Sequence, residues 1–162
     1  MINILILTLA AHAGKLAEGF RGVPFGDEAT IETAPLGTCI AGDEAGVKWV
    51  CPTEVGGVAV LAAYMVGEEL FYGVVLTPIE QSFTAAAGLR DVCTAAYGAG
   101  RKKNEYDSSS LPDWRWVDGS VYAVFSYNQY SNVSSVLIFD TKVMGEKDKR
   151  TKTRALESVN DL

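Results

Sequence analysis

Hydrophobic positions along this chain crowd, alternate, take helical spacing and alternate again, and these changes divide it into elements. Apolar residues first crowd together from Ile2 to Ala11, interrupted only by Asn3 and Thr8. Phe20 to Phe25 then reads as a short strand, which Gly22, Pro24 and Gly26 confine to a sheet edge. A polar loop follows to about Gly46, and Val47 to Val50 makes another short strand before Pro52. Val55 to Val66 and Leu70 to Thr77 form the clearest hairpin, with Gly67-Glu68-Glu69 as its turn.

From Ser82 to Tyr97 the period becomes helical. Phe83, Ala86, Leu89, Val92, Cys93, Ala96 and Tyr97 fall on one face, Ser82 serves as N-cap and Gly98 as the stop. A polar loop spans Gly100 to Asp113. Alternation returns in Trp114 to Val117, Ser120 to Tyr127 and Val133 to Phe139, with a turn at Asp118-Gly119 and a loop from Asn128 to Asn132. From Thr141 the chain is charged and nearly free of apolar residues, the pattern of a solvated, frayed helix or a disordered end.

Short, hairpin-like connections predict an α+β fold: a mostly antiparallel sheet, one main helix packed on one face, and a charged C-terminal tail. The chain's 162 residues have room for one domain and one core. That domain is placed at 20–140, between a leader at 1–13 and the tail at 141–162. No apolar run reaches the roughly 20 residues a membrane-spanning helix needs.

The leader sets the expected compartment. Ile4, Leu5, Ile6, Leu7 and Leu9, followed by Ala11-His12-Ala13, have the layout of a secretory signal with a small-x-small cleavage site. Only the α-amino group supplies the positive charge such a signal carries ahead of its apolar run, and Ile-Leu-Ile-Leu also suits a buried first strand. Export predicts a periplasmic or secreted protein. It agrees with a disulfide between Cys39 and Cys51, which flank the polar stretch Ile40 to Val50 and would stabilise the fold by roughly 3 kcal/mol. Cys93, on the helix beside Leu89, Val92 and Ala96, reads as a buried free thiol.

The run Phe20-Arg21-Gly22-Val23-Pro24-Phe25-Gly26, the cysteines after it, Gly56-Gly57-Val58, Ala96-Tyr97-Gly98 and Trp114 with its following strands carry a resemblance. In that order, over roughly residues 20 to 140, they resemble a loose group of small exported bacterial or prophage-encoded proteins of unknown function. The resemblance implies export and a helix-on-sheet fold, and no activity.

His12 is the only histidine, and cleavage near Ala13 would remove it. Triads built on histidine, and most zinc and haem ligation, would leave with it. The pairs Asp27-Glu28, Asp43-Glu44 and Glu68-Glu69 are adjacent in sequence, so they read as solvated turn residues rather than converging catalytic carboxylates. No cofactor or metal motif is present and none is expected. In Gly98-Ala99-Gly100-Arg101-Lys102-Lys103 the glycines follow a helix instead of preceding one. A C-cap and basic loop therefore outrank a phosphate loop, while the three cations leave an anion contact open.

Charge then points toward a partner. Between Glu18 and Asp91 there are eleven acids against Arg21, Lys48 and Arg90, within a chain of net charge −6. Such a field repels nucleic acid and steers a basic protein, although solubility alone would also account for it. The expected binding residues are the acids Asp43, Glu44, Glu68 and Glu69 and the aromatic anchors Trp114, Trp116 and Tyr130. Core packing is the other account of the tryptophans. The leading expectation is a non-catalytic envelope binding protein, an inhibitor or immunity factor for a basic protein. A carboxylate-based or cofactor-dependent enzyme and a phage-encoded envelope exclusion factor are the alternatives.

Overall fold

A computed structural model of the chain describes residues 16–27, 39–44 and 46–160. The expected leader, with His12, lies outside the described residues. The fold is α+β: one eight-stranded antiparallel sheet with two helices against it. In chain order the strands are β1 (Ile40–Ala41), β2 (Val47–Val55), β3 (Val58–Gly67) and β4 (Leu70–Pro78), then β5 (Arg101–Lys102), β6 (Trp114–Asp118), β7 (Val121–Asn128) and β8 (Val133–Asp140). The helices are α1 (Phe83–Tyr97) and α2 (Thr141–Asn160). Spatial order is β1-β2-β3-β4-β8-β7-β6-β5, so two meanders meet where β4 pairs with β8.

Turn chemistry explains the hairpins and corrects their expected bounds. β2 runs through Pro52 to Val55, and Gly56-Gly57 turns it into β3 with both residues at positive φ. The β3–β4 turn is two residues, Glu68 at φ 51° and Glu69 at φ 66°, because Gly67 already pairs with Leu70. Likewise Asp118 pairs with Val121, which moves the next turn to Gly119-Ser120. The loop expected over 100–113 contains the short edge strand β5.

Phe20 to Phe25 is not a strand. Phe20 and Val23 exchange two backbone hydrogen bonds of 3.0 Å around Arg21 and Gly22, both in the left-handed region. The segment is a tight turn, and its Phe20 and Val23 side chains enter the core.

Alternation places Val60, Ala62 and Tyr64 of β3, Val74 and Leu76 of β4, Ala123 and Phe125 of β7, and Val136 and Ile138 of β8 on one buried face. α1 covers that face through Ala86, Leu89 and Cys93. Its N-cap is Ser82, whose Oγ accepts from the Ala85 N–H at 3.1 Å, and Gly98 ends it at φ 80°.

The tail is more ordered than its charge suggests. Asp140 Oδ1 accepts from the Lys142 and Val143 N–H groups at 2.8 and 3.2 Å and caps α2. Val143 then packs with Leu70 and Tyr72, on the opposite face of the sheet from α1. Lys147 lies 5.1 Å from the centre of the Tyr72 ring, and Arg154 pairs with Glu68 at 2.7 Å. A basic helix is held along an acidic hairpin.

Candidate binding surface

Strand register builds a surface on the face away from α1. Ile40, Val50, Ala63, Val75, Leu137, Val124, Arg115 and Arg101 pair in turn, one from each strand, and form a row across the whole sheet. Cross-strand partners share a face, so these side chains stand on one side. A second row, Met65, Gly73, Phe139, Tyr122 and Val117, runs beside it. Tyr122 and Phe139 stack there with ring centres 5.6 Å apart.

Gly73 lets the strands close up, since a Cβ at that position would come within 2.7 Å of the Ile138 carbonyl oxygen. α2 packs over this face mainly against β4 and β8, with Val143 and Met144 in its first turn and Lys147 further along. Much of the rest is half-buried, and Leu61 and Val117 are 41% and 53% exposed. The face is apolar over its central strands and ends in Arg115 and Arg101 at the β5–β6 edge.

The acids expected in the site gather at one end of the sheet. Val47 pairs with Met65, which sets the β1–β2 loop beside the β3–β4 turn. Asp43, Glu44 and Glu69 are exposed there. Glu68 is not available in the same way, because Arg154 and the Thr151 hydroxyl both engage it.

The aromatics do not join them. Trp116 is 3% exposed and donates its Nε1–H to the Gly98 carbonyl at 2.9 Å, so it is a core residue of the α1 face. Trp114 shares that face, packed against the core. Tyr130, 91% exposed, lies in the β7–β8 loop at the far end of the sheet. It borders a cleft of about 350 Å³ with Asp107, Ser109, Leu111, Tyr127 and Asn128.

The open face escaped the sequence reading, although the signal was present. Val74-Val75-Leu76, Val121 to Phe125 and Val136 to Phe139 are apolar or aromatic at successive positions, which is what strands with two apolar faces require. Among the described residues, no group of three His, Cys, Asp or Glu side chains is placed to hold a metal ion.

Hydrogen bonds from Ser109 lower Asp107 and one to Asp148 raises Lys147, while burial dominates at Tyr64, Cys93 and Tyr97. It pushes the Tyr64 phenol up to about 12, with Arg21 pulling the other way, and pushes the Cys93 thiol up to about 12. Tyr97 is raised for the same reason, with a further push from Cys93. The unfolded chain loses the Tyr64 proton near pH 10, and the folded one near 12. In that window the unfolded state binds fewer protons, so stability falls as pH rises.

The Tyr64 hydroxyl is buried and has no hydrogen-bond partner among the described residues. Tyr64→Phe is therefore expected to keep or raise the melting temperature at pH 7 and to flatten the alkaline loss between pH 10 and 12. Thermal unfolding across pH measures both, and a lower melting temperature at pH 7 would show that the hydroxyl is satisfied.

No helix among the described residues is long and apolar enough to cross a membrane, and the Cys39–Cys51 disulfide is consistent with an oxidising compartment. No protein-family model, curated protein or solved structure matches this chain.

Proposed function

We propose that this protein is a non-catalytic binding module that holds a basic protein partner in the bacterial envelope, as an inhibitor or immunity factor does. One observation carries the reading: an apolar sheet face, covered by α2 over only part of its breadth, with exposed Asp43, Glu44 and Glu69 at one end of the same sheet. The carboxylates steer a cationic partner and the apolar rows supply buried area once it docks. The disulfide supports the compartment, because such bonds persist where thiols are not kept reduced.

The test compares the full chain with two variants, Asp43→Asn/Glu44→Gln/Glu69→Gln and Leu61→Ser/Val117→Ser, as bait against an envelope extract. The expected result is a basic protein retained by the wild type at low salt, released at high salt, and lost from both variants. A retained protein that ignores salt and both sets of substitutions overturns the reading, as does the lack of any salt-sensitive partner.

A further inference from the structure

At the β5–β6 corner the chain gathers cations instead of acids. Arg101 and Arg115 are direct cross-strand partners, so their side chains leave the same face of the sheet edge. Like charges placed opposite one another are unfavourable unless something negative lies between them. Neither guanidinium meets a carboxylate among the described residues. Their neighbours are engaged: Lys103 pairs with Asp113 at 3.5 Å, and Lys102 Nζ donates to the Asp107 carbonyl at 3.2 Å.

Both arginines line one cleft of about 420 Å³, with Tyr97, Ala99, Trp116 and Val117 as its other walls. Trp116 is held by its bond to the Gly98 carbonyl, and Tyr97 packs edge-on against it at 6.4 Å. Gly100 lets the chain pass close over the indoles, since a Cβ there would come within 2.7 Å of Trp116 Nε1. The α1 C-terminus carries partial negative charge toward this corner, but the Thr94 and Gly98 carbonyls are already occupied by the Gly98 N–H and the Trp116 indole.

We propose that the Arg101–Arg115 cleft binds a tetrahedral oxyanion, a phosphate or sulfate group carried by a small soluble molecule. Two guanidinium forks leaving one face of the sheet edge match the several oxygens of such a group. The cleft's size suits a small molecule rather than a membrane surface. This site shares Arg101, Arg115 and Val117 with the open sheet face but uses none of the acids of the protein-partner reading, so phosphate binding that survives Asp43→Asn/Glu44→Gln/Glu69→Gln separates the two.

Titration of the full chain with inorganic phosphate and with sodium sulfate, against sodium chloride at equal ionic strength, tests the site through tryptophan fluorescence, because Trp116 lines the cleft. The expected result is a saturable change with phosphate or sulfate that chloride does not give. The apparent Kd should rise by about tenfold or more in Arg101→Gln and in Arg115→Gln. Both side chains are exposed, and circular dichroism is expected to show both variants folded.

In the soluble titrations, a response equal to that with chloride, binding unchanged in both variants, or a stronger response to succinate than to phosphate each overturns the proposal. Vesicles containing phosphatidylglycerol form the last arm. Co-sedimentation that needs both arginines, without any response to soluble phosphate, would assign the cations to a lipid surface and overturn the small-molecule site.

Discussion

Phe125→Ala is expected to lower stability by about 3–5 kcal/mol, the largest effect of any single substitution considered for this protein. Phe125 is fully buried on β7, where it pairs with Trp114 of β6 and Val136 of β8. Removing the ring forfeits its transfer free energy and leaves a cavity that a surrounding β-sheet cannot close by collapse. In a domain of this length the loss corresponds to a fall in melting temperature of about 10 °C.

Its neighbour Val124 points to the opposite, half-exposed face. Val124→Ala should therefore cost well under half as much. Urea unfolding of the pair reads out the face assignment directly. A larger effect at Val124 than at Phe125 would invert the two faces, and the proposed binding surface would fall with them.

Loss of the Cys39–Cys51 bond is expected to cost about 3 kcal/mol, the second-largest effect. Cys39 immediately precedes β1, and the pairing of Ile40 with Val50 places it opposite Cys51 on β2, with Cα atoms 4.3 Å apart. A sequence separation of 12 closes a modest loop, and in the chain-entropy model its release into the unfolded ensemble accounts for that figure. Cys39→Ala/Cys51→Ala, compared with the oxidised wild type by denaturant unfolding, measures it.

Thiol labelling supplies the complementary check. Cys93 is buried, so the oxidised protein should react at one cysteine, and only after unfolding. Labelling at three would mean that the bond does not form, and the compartment inferred from it would lose its support.

Much of the scaffold was legible along the chain because its determinants are local. Helix α1 follows from residues three and four apart, a capping Ser82 and a terminating Gly98, all within one short stretch. The β3–β4 and β6–β7 hairpins follow from alternation on either side of compact turns. Where locality failed, the misreadings were small but physical. The turn at Asp118-Gly119 slid by one residue because the Asp118–Val121 pair sets the register. Phe20 to Phe25, apolar enough for a strand, folds back on itself because Arg21 and Gly22 take positive φ. The tail became a held helix through Asp140, Tyr72 and Glu68, partners outside its own segment.

By itself, then, the sequence determined the fold class, the main helix, the hairpins and an acidic first half, since each depends on neighbours along the chain. Only the tertiary structure decided that β4 pairs with β8. That one long-range ladder joins the two meanders into a single sheet and aligns Val75 with Leu137. The apolar row, the burial of Trp116 and the separation of Tyr130 from the acids all follow from that sheet. The meeting of Arg101 with Arg115 needs a second nonlocal pairing, fourteen residues apart across a polar loop. Pairings of this kind are set by which faces can be buried together, a property of the packed whole that no window of sequence contains.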